Sequence, residues 1–294
     1  MYRIRFVICL SLCVAATVWG QQRTADQLSM AEKIKYGESY HTVHAEAVDP
    51  FRVVGNIYSI GTKNIGIYLI ATDAGHILID TGVAEMHDML KANITRLGFK
   101  VSDIKILLST HAHYDHVQGH EAMRKATGAQ VMAVGLDAEA LRLGKDISPL
   151  GFEGWEPVVE VKTLAHGDKV SLGASTLVAH QIPGHTQGCT VWSTFVNEGD
   201  AEFNVAVFGC RGPNSIVKVK DNAQFPDLIE QSLLGFERLL QIQPDIYISN
   251  HPESDWEKFG EALKAEQTPQ PLLRQQPWRD MVNDLLAEFK QRIQ

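Results

Sequence analysis

The sequence predicts an α/β (α+β) domain in which two β-sheets pack together with helices outside. Two observations lead there. Short runs rich in Val, Ile and Tyr alternate with helix-spaced apolar runs, separated by turns such as Asp73-Ala74-Gly75. Each half of the chain also places its strands first and its helix after.

Taken in order, strands are expected at 51–60, 65–72 and 76–80. A helix follows at 84–97, where Met86, Met89, Leu90, Ile94 and Leu97 share helical spacing and Gly98 stops it. Residues 104–109 read as a buried strand, 116–127 as a helix ended by Gly128, 131–134 as a strand and 136–143 as a helix. After a looser stretch at 144–167 come strands at 176–182, 190–196, 203–208 and 246–249. Pro226 opens a helix running to 240, since the first turn has no use for the N–H that proline lacks. Pro277 does the same for a last helix, whose Trp278, Met281, Val282, Leu285, Leu286, Phe289 and Ile293 form an apolar stripe for core packing.

The 294 residues are 45% hydrophobic and 21% charged, an ordinary globular balance with length enough for a sizeable core. Residues 1–20 read as an export signal. Arg3 and Arg5 precede an apolar run at 6–18 that is too short to span a bilayer, and Val18-Trp19-Gly20 suits cleavage before Gln21. Residues 21–50 then form an N-terminal extension and 51–294 a single domain. The location expected is periplasmic or secreted, with no membrane attachment after signal removal. The formal charge of −8 becomes −10 without Arg3 and Arg5, which argues against nucleic acid as a partner and for a small-molecule substrate; a monomer is expected. Of four cysteines, Cys9 and Cys13 leave with the signal; Cys189 and Cys210 stay, with room for one bridge in an oxidising compartment.

The chemistry is concentrated in His111-Ala112-His113-Tyr114-Asp115-His116, directly after the strand at 104–109. At a strand end residues i and i+2 point the same way, so His111 and His113 can grip one metal. Asp115 is placed at a helix N-cap and His116 in the first turn, facing a second position. Four metal-competent side chains in six residues would cost stability if buried without partners, so a coincidental polar loop is the poorer explanation. His185, in Pro183-Gly184-His185-Thr186, and His251, before Pro252, each follow a strand in a loop marked by glycine or proline. Alone, either would be an ordinary loop histidine; the strand before each, together with the segment 111–116 upstream, makes them candidates that complete the set. His120, one turn after His116 on the same helix face, has two readings, a contact with the residues around the metal site or, the more ordinary one, a solvated helix residue. His41, His44, His76, His87, His166 and His180 have no comparable spacing, and Tyr114 is expected to pack.

These residues together resemble the metallo-β-lactamase superfamily, a four-layer αββα sandwich with metals at one edge. Within it, the chain is most similar to the third subclass of class B (zinc-dependent) β-lactamases. The stretches that carry the likeness are Asp49-Pro50-Phe51-Arg52, Gly75 through Gly82, Ala126-Thr127-Gly128-Ala129, His166 through Gly173 and Pro183 through Trp192. The resemblance implies two Zn2+ ions, the first on His111, His113 and His185, the second on Asp115, His116 and His251. It also implies that Asp80, in Ile79-Asp80-Thr81-Gly82, supports the site. A hydroxide shared between the zinc ions would open the β-lactam ring of antibiotics, with Asp115 as the catalytic residue that orients it and passes a proton. The alternative is a hydrolase of another small ester, lactone or amide with weak or no β-lactamase activity. Cys210 stands where many other hydrolases of the superfamily place a metal-bridging aspartate and the third subclass usually has serine. It is read as a thiol filling the serine position, as an extra ligand to the second zinc, or as half of a bridge to Cys189. By analogy, loops 211–224 and 61–66 would wall the cleft, with Asn214 and Ser215 as candidate substrate contacts.

Overall fold

The computed structural model describes residues 47–151, 154–252, 270–273 and 275–294; the expected signal at 1–20, most of the extension, His41 and His44 lie outside them. Two sheets organise the chain. The first has seven strands in sequence order: β1 (Phe51–Val54), β2 (Ile57–Ser59), β3 (Tyr68–Thr72), β4 (Gly75–Ile79), β5 (Ile104–Leu108), β6 (Gln130–Val134) and β7 (Val161–Leu164). The second has five: β8 (Lys169–Leu172), β9 (Ser175–Gln181), β10 (Thr190–Glu198), β11 (Ala201–Phe208) and β12 (Ile246–Ser249), in the order β12-β11-β10-β9-β8. Strands β4 to β7 run parallel to one another, as do β11 and β12; the other pairings are antiparallel.

Three apolar layers make this a four-layer sandwich. Between the sheets lie Ile77, Ile79, Ile106 and Leu108 from the first and Leu177, Trp192, Val205 and Ile248 from the second. The alternate residues Leu78 and Leu107 turn the other way. They meet Leu90 and Ile94 of α1 (His87–Arg96), Met123 of α3 (His120–Thr127) and Leu141 of α4 (Leu136–Leu143). On the far side Val191, Ala206 and Phe208 pack on Phe236 of α5 (Leu228–Gln241). The last helix, α7 (Trp278–Arg292), adds Trp278, Val282 and Phe289 to the same layer, as its stripe predicts. A single turn, α6 (Gln270–Leu273), precedes it. Among the described residues, no helix is long and apolar enough to cross a membrane.

Four local expectations are corrected. The run 51–60 is a hairpin, because Gly55 (φ +52°) and Asn56 turn the chain between β1 and β2. The helix at 116–127 is two pieces, α2 (Tyr114–Val117) and α3, broken at Gly119, where a Cβ would lie 2.8 Å from the Thr81 carbonyl. His113, in extended conformation, is the N-cap of α2, so Asp115 sits inside the first turn. The looser stretch at 144–167 contains the short edge strand β7, and β8 follows it.

Candidate metal centre

Strand β5 ends at Leu108, and the chain leaves the sheet edge through Ser109 and Thr110 to His111. The second sheet fixes this exit. Trp192 Nε1 donates to the Ser109 carbonyl at 2.9 Å, and the Thr190 N–H donates to the Thr110 carbonyl at 2.7 Å. From below, the fully buried Asp80 accepts the Thr110 N–H and hydroxyl, each at 2.7 Å. Asp80 has φ +65°, a conformation that aspartate tolerates better than most residues.

His111, His113 and His185 form a triangle, with every pair of ring centroids 4.6 Å apart. Beside it, His116 Nε2 and His251 Nε2 are 3.0 Å apart, and Asp115 Oδ2 lies 3.5 Å from each. The two trios adjoin through His111 and His116, whose rings are 4.2 Å apart. All six residues named from the sequence therefore converge.

Each ring has one nitrogen tied to the protein. His116 Nδ1 pairs with Asp80 Oδ2 at 2.9 Å, His185 Nδ1 with the Gly212 carbonyl at 3.1 Å, and His251 Nδ1 with the Asn64 carbonyl at 3.3 Å. Those oxygens only accept, so the three Nδ1 atoms carry the proton and the Nε2 lone pairs are left for the shared space. His111 Nδ1 meets Thr110 Oγ1 at 3.2 Å, and His113 Nε2 meets Ser148 Oγ at 3.0 Å. His111 Nε2 is buried without a hydrogen-bond partner, which would be costly unless a ligand completes it. Burial pushes His113 down to about 4 and His185 to about 3, and it lowers His111 well below the ordinary value, with the neighbouring rings adding to the effect. Uncharged imidazoles with oriented lone pairs beside a carboxylate are the donor set that zinc takes. The residues present fit the metal.

A cavity of about 680 Å³ is lined by Asp146, Ser148, Leu150, Lys218 and Phe225 among others, and it meets the centre through Ser148, whose Oγ lies 3.0 Å from His113 Nε2. Loop 211–224 contributes to this wall as expected. Segment 61–66 lies on the His251 side of the centre, where the Asn64 carbonyl receives His251 Nδ1. Asn214 turns its side-chain oxygen to the Ile216 N–H of its own loop.

Two expectations are overturned. Cys210 is bonded to Cys189 and fully buried, so its sulfur is neither a thiol nor a metal ligand. His120 is fully buried too, with Nδ1 2.7 Å from Thr81 Oγ1, because the break at Gly119 turns α3 onto the core. Other supporting residues escaped the sequence reading. Asn250 Nδ2 donates to Thr110 Oγ1 at 2.8 Å. Asp146 Oδ1 accepts the Ser148 N–H at 2.8 Å. Asp137, whose carboxyl burial raises to about 6, accepts hydrogen bonds from both histidine loops. At the start of a helix it looks like any first-turn acid.

The comparisons with known proteins agree with this geometry. Residues 62–197 match the family model of the metallo-beta-lactamase superfamily. BJP-1, a subclass B3 metallo-beta-lactamase of Bradyrhizobium japonicum, is 32% identical with a TM-score of 0.76, over 85% of this chain and 95% of that one. The FEZ-1 metallo-beta-lactamase from Legionella gormanii is 30% identical with a TM-score of 0.78, over 84% and 96%. A hydroxyacylglutathione hydrolase of Cereibacter sphaeroides is 40% identical over 106 residues, 36% of this chain. The match spans about a third (34%) of that relative's length. With its ligand trios at the edge of a four-layer sandwich and its likeness to B3 structures along most of its length, the chain belongs to the metallo-beta-lactamase superfamily.

Proposed function

We propose that this protein is a zinc-dependent hydrolase that opens the β-lactam ring, acting in the periplasm or outside the cell. The observation that carries the reading is the pairing of two adjoining ligand trios, each ring held by its other nitrogen. Likeness to subclass B3 enzymes at 30% identity or more, over nearly the whole of those chains, supports the substrate class. Two Zn2+ ions on His111, His113, His185 and on Asp115, His116, His251 would polarise the amide carbonyl and lower the pKa of water at the site. The chain's own residues do the rest. The cleft wall at 145–151 and 218–225 receives the body of the substrate. Asp115, only 8% exposed, faces the shared space; its carboxylate is placed to take the proton released as water adds to the carbonyl carbon. It then hands that proton to the amide nitrogen as the C–N bond breaks. The Cys189–Cys210 bridge suits an oxidising compartment.

The second reading, hydrolysis of another small ester, thioester or lactone, is favoured by the hydroxyacylglutathione hydrolase match. Against it, the position of the family's bridging aspartate is Cys210, whose sulfur is closed in the bridge. Purified, zinc-loaded protein should turn over a chromogenic cephalosporin and stop when a chelator is added. Rapid hydrolysis of a glutathione thioester or a lactone, with no cephalosporin turnover, would select the second reading.

A further inference from the structure

We infer that Asp137 is the positioning residue for the first metal trio: one buried carboxylate sets the two loops that carry His111, His113 and His185. The inference rests on the ligand assignment proposed above. Asp137 Oδ2 accepts the N–H of Ala112 at 2.8 Å, the residue between His111 and His113. The same oxygen accepts the hydroxyl of Thr186 at 2.6 Å, the residue after His185. Oδ1 accepts the Gly188 N–H at 2.9 Å, in the same loop. The carboxylate thus joins segments 25 and 49 to 51 residues away. Charge-assisted bonds of this length are roughly twice as strong as neutral ones.

The packing around the carboxylate is close. A Cβ on Gly188 would lie 2.6 Å from Asp137 Cβ and Cγ and 2.1 Å from the Val134 carbonyl. Only glycine lets the backbone reach the carboxylate there. Asp137 itself is brought in by the turn at Gly135 (φ +54°) between β6 and α4, which aims the first helical turn at the loops.

The second trio has its own support. Asp80 accepts His116 Nδ1 and Thr110, whereas the hydrogen bonds of the Asp137 carboxylate go to Ala112, Thr186 and Gly188 in the loops of the first trio. Asp80 touches the second trio directly at His116 and reaches the first only through Thr110, whereas Asp137 bonds to both loops of the first. Removing Asp137 should therefore affect one metal and spare the other, which a general loss of folding would not do.

The test is zinc titration of metal-free wild type, Asp137→Asn and Thr186→Val against a competing chromogenic chelator, with thermal denaturation alongside. In Asp137→Asn the amide cannot accept from all three donors, so one N–H or hydroxyl loses its partner. The expected result is one zinc bound as in wild type and a second bound about 10- to 100-fold more weakly. Thr186→Val, which keeps the volume and removes one donor, should weaken the same zinc by a smaller factor. His113→Ala in the Asp137→Asn background should leave the remaining zinc unchanged. Two zinc ions bound with wild-type affinity by Asp137→Asn would overturn the inference, as would equal weakening of both. Wild type that binds no zinc would instead overturn the ligand assignment beneath it.

Discussion

Cys189 and Cys210 face each other across the end of the β10–β11 ladder and are joined by a disulfide. In that ladder Trp192 faces Val207, and three residues further on the same register brings the two cysteines together, with Cα atoms 5.8 Å apart. The bridge ties the loop that bears His185 to the loop whose Gly212 carbonyl receives His185 Nδ1. It closes a separation of 21 residues, for which the chain-entropy model gives roughly 3 kcal/mol. Cys210→Ser should keep both metals and unfold several degrees lower, by calorimetry and metal analysis. Reductant should lower the wild-type transition and leave the variant where it is. A variant of unchanged melting temperature that binds one zinc fewer would restore Cys210 as a ligand.

Asp80→Asn tests the support of the second trio. Asparagine also tolerates the positive φ of this position, so backbone strain is not added. It cannot offer two carboxylate oxygens to Thr110 and His116. Zinc at Asp115, His116 and His251 should weaken about 10- to 100-fold. Equilibrium dialysis measures it, and an unchanged affinity would remove Asp80 from the site.

Gly209 and Asn250 should be coupled. A Cβ on Gly209 would lie 2.1–2.2 Å from the Asn250 side chain, whose amide donates to Thr110. Gly209→Ala should cost about 1–3 kcal/mol through overpacking. In an Asn250→Ala background that cost should largely vanish. Urea denaturation of the four proteins completes the cycle, and additive effects would mean the two do not interact.

The Glu198 carboxylate takes Arg52 Nη1 at 2.5 Å and the Gly55 N–H at 2.6 Å, joining β10 to the β1–β2 turn. The Arg52 hydrogen bond lowers its pKa from the ordinary 4.5. A lowered carboxylate pKa contributes stability that is complete above 4.5 and lost as pH falls through the folded value. The pair is partly exposed, at 34% and 22%, so its worth is on the order of 1 kcal/mol. Glu198→Gln should be less stable than wild type at pH 7, and the two should converge below pH 4.5. A difference that stays constant from pH 3 to 7 would show that the charge plays no part.

Residues that are both chemically unusual and locally spaced could be read from the chain directly. Strand β12 and helix α4 fall where the apolar pattern puts them, since each buries a strong face. Strands β7 and β8 did not announce themselves. Val161-Lys162-Thr163-Leu164 and Lys169-Val170-Ser171-Leu172 are short sheet edges with exposed lysines, and they carry too little apolar signal to mark a strand. His120 misled for the opposite reason: its burial depends on the break at Gly119, which exists because the chain must pass Thr81.

By itself the sequence determined two packed sheets with helices outside and the cluster at 111–116, because strand ends and helix starts aim neighbouring residues over short, predictable distances; the family resemblance joined His185 and His251 to that cluster. Only the tertiary structure decided the fate of Cys210 and the roles of Asp137, Ser148 and Asn250. Their partners lie tens to more than a hundred residues away. A hydrogen bond or a disulfide leaves no periodicity in the chain, and it becomes visible only when packing brings its two ends within about 3 Å.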